Sequence, residues 1–311
     1  MSSMETRALA EVRALTEVSG IGSKRATTLY QKFKSIDALL TASIDEFDEH
    51  HYVDADTLSD IRELGNVVET YDRQFSELRD KGMALIGFED PRYPDDLREA
   101  HMPVMLYARG DTSLLNELAV MFSGSRETSV AGCEWARKLA MQLADSFVIV
   151  SGGALGVDTA AHQGALDASG DTIVVYGTGL DSPYPPANES LFDEVIENGG
   201  LLISERPPEA GPDRHGFLQR NQTNAALGDG VVIPAATESS GTMSQFKNAQ
   251  DQGRPVFVPE QELGFTPRDG VTNMRECENV TSISGAEDIR TILSESDGIT
   301  SDGHQASLDE W

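Results

Sequence analysis

"SGGALGVDTAAHQGAL", residues 151–166, follows the apolar run "FVIV" (147–150) and decides how the chain is read. The run has the length and β-branched character of a buried strand, and a helix-length, alanine-rich segment begins directly after the glycines. A strand that ends in Gly152 and Gly153 and opens at once into a helix brings backbone amides close to a ligand. The helix N-terminus favours an anionic one. Asp158 and His162 fall in the first turns of that helix, just after Gly156. The anion could belong to a nucleotide, a substrate or a nucleic-acid backbone, and the remaining sequence has to discriminate.

Working outward, the same alternation recurs. "AVMFS" (119–123), "TIVVY" (172–176), "LLIS" (201–204), "VVIP" (231–234) and "PVFV" (255–258) read as strands, with helix-length segments between them. "MALIGF" and "PVMLYARGD" add two strands ahead of these. Short apolar runs separated by helices predict an α/β fold: a doubly wound, mostly parallel, Rossmann-like sheet over residues 83–290, with helices on both faces. Sheets of this kind bind ligands beyond the carboxyl ends of their strands. Gly, Ser, Arg and Asn gather in the turns expected there.

"SGSRETS" (123–129) carries Gly124, Ser125, Arg126 and Ser129 and lacks the G-x-G-x-x-G dinucleotide fingerprint. Arg126 points to a side-chain clamp on phosphate, whereas Ser125 or Ser129 could simply cap a helix. "HGFLQRNQTNAALG" places Arg220 and Asn221 early on a helix whose Phe217, Leu218, Ala225 and Leu227 are expected in the core. That pair can read phosphate or bases, and a buried structural arginine is the alternative. Ser240, Gly241 and Thr242 open another helix after the fifth strand of the alternation. Asp158 and His162 four apart are too little for a metal site. Ser151 lies in S-G-G and not in a G-x-S-x-G elbow, so nucleophilic catalysis is discounted. No catalytic residue, metal or cofactor is expected.

The chain ahead of the sheet differs in kind. Residues 1–54 read as a helical module in which Gly20-Ile21-Gly22 joins two short helices. Residues 19–36 hold four basic residues and no acid, a basic island in a chain of net charge −28. Residues 55–82 carry apolar side chains at three- and four-residue spacing and predict one linking helix. Residues 291–311, with five acids and no Lys or Arg, are expected to be disordered. Only six lysines stand beside 18 arginines and 52 acids, and the acids are spread over the whole chain. That spread favours a protein working in very high salt over an acidic protein with a basic partner. Two cysteines without a CxxC suggest a reducing cytoplasm. The start lacks the apolar core of a signal peptide, and no run of about 18 apolar residues could span a membrane.

These residues resemble the DNA-processing protein A (DprA, or Smf) family. The resemblance rests on motifs in the family's order: "DPRYPDDLREAHMPVMLYARGD", "GSRETS", "SGGALGVDTAAHQGAL", "TGLDSPYPPAN", "LLISERPP", "FLQRNQTNAALGDGVVIPAATESSGT" and "GRPVFVPE". It covers roughly residues 83–285 and implies an extended Rossmann-like domain. It further implies single-stranded DNA as ligand, a homodimer, and help in loading a RecA-type recombinase. By resemblance Arg126 contacts DNA, Gly152, Gly153 and the following helix start line the same pocket, and Arg220 and Asn221 stand beside it. Gln222 stands where the family has a second arginine, Pro186 and Ala187 follow Tyr184-Pro185 where a basic residue is common, and Ser244-Gln245 replaces Thr-Ala. The N-terminal module resembles a helix-hairpin-helix, which implies DNA contacts through Gly20, Gly22, Lys24 and Arg25.

Two other functions compete. The same superfamily includes phosphoribohydrolases similar to the Lonely Guy enzymes, but Gln245 stands at the position of their glutamate and an amide is no general base. A nucleotide-ligand sensor acting on a partner is the other.

Overall fold

The computed structural model describes residues 3–47, 52–100, 103–260 and 269–303. Five helices come first: α1 (Ser3–Leu15), α2 (Ser23–Phe33), α3 (Ile36–Thr41), α4 (Ala55–Arg62) and α5 (Gly65–Asp80). The linking segment is thus two helices broken near Glu63 and Leu64, and α5 lies along α1. The break lets Ile61, Leu64, Val68 and Phe75 all reach one core. Phe75 meets Tyr107 edge-on, and Tyr30 meets Phe88 in the same way, so the helical module is packed on the sheet and not tethered to it. Gly87 permits this: a Cβ there would lie 2.1 Å from Leu9 Cδ2 of α1.

Strand β1 (Ala84–Gly87), helix α6 (Asp95–Ala100) and strand β2 (Met105–Gly110) lead into the alternating region. There follow β3 (Ala119–Phe122), α7 (Val130–Leu143), β4 (Val148–Ser151), α8 (Val157–Asp167), β5 (Thr172–Tyr176), α9 (Glu189–Glu197) and β6 (Leu201–Ser204). The second half runs α10 (Arg214–Leu227), β7 (Gly230–Val232), α11 (Gly241–Asp251), β8 (Val256–Pro259), α12 (Asp269–Met274), β9 (Val280–Ile283) and α13 (Ala286–Gly303). The expected disorder from residue 291 gives way to α13, in which Leu293 is buried, while residues 304–311 lie outside the described residues.

The strands form one sheet in the order β1-β2-β6-β5-β4-β3-β7-β8-β9. From β6 to β9 every pairing is parallel, and β2 joins β6 antiparallel. Strands β3 to β8 are buried along their whole length, as parallel strands covered on both faces must be. β9 was not expected from sequence: "VTSI" buries only Ile283, so an edge strand leaves no apolar run to read. The winding from β3 goes outward through β4, β5 and β6, and then resumes on the other side with β7. The strand order therefore reverses between β3 and β7. Doubly wound sheets bind ligands at such a switch point, where the two loops diverge and leave a crevice.

Candidate functional site

A cleft of about 1010 Å³ opens at that switch point. Its walls come from the turn after β3 (Ser123–Glu127), the start of α8, one side of α10, and the turn into α11. Ser123 N donates to Val232 O and Ser125 N to Ala235 O, which locks the β3 turn to the strand beside it. Gly156, at φ +84, lets α8 begin against that turn: a Cβ there would lie 2.5 Å from Ser125 O. Gly153 likewise has φ +71, and Cβ atoms at Gly124 and Gly153 would strike Val157 and Phe192.

Three arginines reach the cleft: Arg126, Arg214 and Arg220. Arg126 and Arg214 are exposed, whereas Arg220 is only 7% exposed. Gly152 makes room for it, because a Cβ at 152 would sit 1.0 Å from Arg220 Nη1. Asp158 Oδ2 lies 3.7 Å from the same nitrogen and accepts from Ala154 N at 3.1 Å. Burial holds the Asp158 carboxyl above its ordinary range, and burial likewise pulls the Arg220 guanidinium down. Both directions say that loss of water outweighs the attraction between the two. Asn221 and Gln245 complete the floor, with Gln245 Nε2 donating to Asn221 Oδ1 at 3.1 Å. Thr242 is buried beside them, while Ser240 donates to Thr237 O and Gly241 is open to solvent.

Of the residues picked out from sequence, Gly124, Ser125, Arg126, Asp158, Arg220, Asn221, Ser240, Gly241 and Thr242 line this one cleft. Gly152 lines a smaller pocket of about 80 Å³ next to it, shared with Arg126, Leu155, Tyr184 and Arg220. Three others do not line it. Ser129 Oγ accepts from Gly132 N and caps α7. Ser151 is fully buried, with Oγ donating to Phe122 O at 2.7 Å. His162 is fully buried as well: Thr172 Oγ1 donates to Ile149 O, so His162 Nδ1–H donates to Thr172 Oγ1 at 2.7 Å. Burial, then the nearby Arg220, push its pKa down to about 3. It is a neutral core residue.

Sequence reasoning missed Arg214, Phe217, Leu218 and Glu127 in the lining, and set Phe217 and Leu218 in the core. Leu218 is 44% exposed at the cleft, and the Phe217 ring lies tilted against that of Tyr184 with centroids 5.6 Å apart. Arg214 had a readable signal. It occupies the first turn of α10, after the Asp213 cap, where the helix dipole disfavours a cation unless an anion is meant to bind. Gln222 does not face the cleft at all. It is exposed on the far side of α10 beside Asp96, Glu99 and Asp251, so its missing charge is not subtracted from the cleft.

The helical module treats its cations differently. Arg25 Nη1 donates to Gly20 O at 2.7 Å and lies 4.5 Å over the Tyr52 ring, Lys32 Nζ reaches Glu46 O, and Lys34 pairs with Glu89. Gly20 has φ +83, and Gly22 precedes α2 without a side-chain cap. Lys24 is exposed and forms no ion pair among the described residues. Among those residues there is no cluster that could hold a metal and no helix long and apolar enough to cross a membrane.

Residues 84–294 match the family described as DNA recombination-mediator protein A, and residues 12–64 match the SAM-like helix-hairpin-helix tandem. The DNA processing protein DprA of Streptococcus pneumoniae is 42% identical over 170 residues, which cover 54% of this chain and 60% of that protein. The X-ray structure of the pneumococcal protein superposes with a TM-score of 0.66 at 31% identity, over 87% of this chain and 98% of that one. DNA processing protein A from Helicobacter pylori, whose structure reports a single-stranded DNA binding mode, superposes at 0.60 with 35% identity, over 68% and 96%.

Proposed function

We propose a function from one premise: the chain belongs to the DNA recombination-mediator protein A family. It binds single-stranded DNA at the cleft between β3 and β7, as a handler of DNA in recombination and not as an enzyme. One observation carries this reading. In a chain of net charge −28, three arginines converge on one cleft at the switch point. Cations concentrated against so acidic a background mark the place for a polyanion.

The reading without catalysis is supported by the cleft's chemistry. Gln245 offers an amide where a general base would be needed, and Ser151 and His162 are sealed in the core. The partners follow the family resemblance: a RecA-type recombinase that receives the strand, and a second copy of the chain. The hairpin at Gly20–Gly22 adds a weaker, sequence-independent contact through amides and Lys24.

Fluorescence anisotropy of a labelled oligothymidylate, titrated at rising KCl, tests the proposal. With three arginines available, log affinity should fall with log salt at a slope of about −2, shallow for a nucleic-acid binder. Arg126→Ala should flatten it further. Absence of binding at every salt concentration would sink the reading.

A further inference from the structure

The floor of the cleft holds a buried cation whose hydrogen bonding is incomplete among the described residues. Arg220 is 93% buried, yet neither Nε nor Nη1 has a partner. Asp158 at 3.7 Å supplies charge but lies beyond hydrogen-bond distance. Arg126 is near enough to act electrostatically on both members of that pair. Arg126, which lines the same cleft and pocket, therefore sets a second positive charge near Arg220. An unsatisfied buried guanidinium is costly, and oxygens from a ligand would remove the cost.

The spaces on the two sides of these arginines are unequal. Arg126 and Arg220 line both the 1010 Å³ cleft and the 80 Å³ pocket. Small-molecule sites occupy roughly 300–1,000 Å³, so the wide side has room for a nucleotide, whereas the narrow side admits only a group of about phosphate size. We infer that the seat between Arg126 and Arg220 takes a terminal phosphate, a phosphomonoester, as carried by a strand end or by a free nucleoside monophosphate. A monoester brings a charge of about −1.5 to −2 near neutral pH, against one for an internal diester, and so matches two guanidiniums better. It also has three oxygens for forked donors. Gln245 Oε1, buried and unpartnered on the same floor, is left to accept from the sugar or base behind the phosphate.

This inference rests on the reading of the cleft as a DNA phosphate site, and the test separates the two. Oligothymidylate labelled at its 3′ end is compared with and without a 5′-phosphate, with thymidine monophosphate as competitor, and direct binding of the mononucleotide is followed by calorimetry. The phosphorylated strand should bind about tenfold tighter, and Arg220→Lys, which keeps the charge but loses the fork, should abolish that preference. Displacement by the mononucleotide without any preference among strands would assign the seat to the free nucleotide. Preference without displacement would assign it to the strand end. Equal strand affinities with no mononucleotide binding would overturn the inference and leave DNA binding intact. Mononucleotide binding with no strand binding would keep the seat and overturn the DNA reading. Should Arg220→Lys melt early, Gly152→Ala displaces the guanidinium without removing it and must reduce the same preference.

Discussion

The chain has two glycine turns that open into a helix beside an arginine, and they use that arginine in opposite ways. At the hairpin, Arg25 is exposed and already engaged with Gly20 O and the Tyr52 ring. At the cleft, Arg220 is buried against Gly152 with two nitrogens unpartnered. The same local pattern thus yields one arginine that holds its own turn together and one that is buried with an incomplete set of partners. What separates them is burial: water can satisfy Arg25 at little cost, but among the described residues no hydrogen-bond partner reaches Arg220 Nε or Nη1.

The largest expected effect concerns the buried side of that contrast. His162 stays neutral in the fold down to about pH 3, whereas the unfolded chain takes up its proton near pH 6.5. Stability is therefore unaffected above pH 6.5 and falls as pH drops from 6.5 toward 3, by on the order of 4 kcal/mol. Asp158 works in the opposite direction, since its raised pKa means that the folded form gains protons first. The His162 part is read as the difference between wild type and His162→Gln in denaturant titrations across that range. A difference that does not change with pH would contradict a sealed imidazole.

Next comes the cleft surface. Arg126→Ala should weaken single-stranded DNA binding by roughly ten- to a hundredfold, the loss of one charge-assisted contact of about 1.5–3 kcal/mol, with the melting temperature unchanged. The hairpin supplies the matching control. Arg25→Ala should cost stability by about 0.5–1 kcal/mol through the lost cation–π and carbonyl contacts, with little change in DNA affinity. A large affinity loss from Arg25→Ala would collapse the distinction between the two turns. The smallest effect belongs to Gln222→Arg. The new cation would face Asp96, Glu99 and Asp251, so stability should rise by less than about 1 kcal/mol while cleft affinity stays level.

The strands from β3 to β8 were legible because buried parallel strands are short apolar runs bounded by turn residues. β9 was not, since an edge strand with one buried side chain leaves no such run. The two helices in 55–80 read as one because their apolar spacing continues across the break at Glu63 and Leu64, which falls just before Gly65, and α5 then packs along α1. At the site, the arginine and glycine turns were visible as local chemistry. Ser129, Ser151 and His162 were not separable from them, because facing a cleft and facing a core look alike along the chain.

The order of residues along the chain sufficed for the alternating fold, the rim on which polar turns gather, and the family motifs that run through it. Those are properties of neighbours along the chain: strand runs, helix starts and glycine placement. Which turns share a cleft depends on the assembled sheet. β3 pairs with β7 across more than a hundred residues, and that pairing brings Arg126, Arg220 and Gln245 to one floor while turning Gln222 and His162 away. No local signal encodes it, because the partner of a strand is chosen by the winding of the whole sheet.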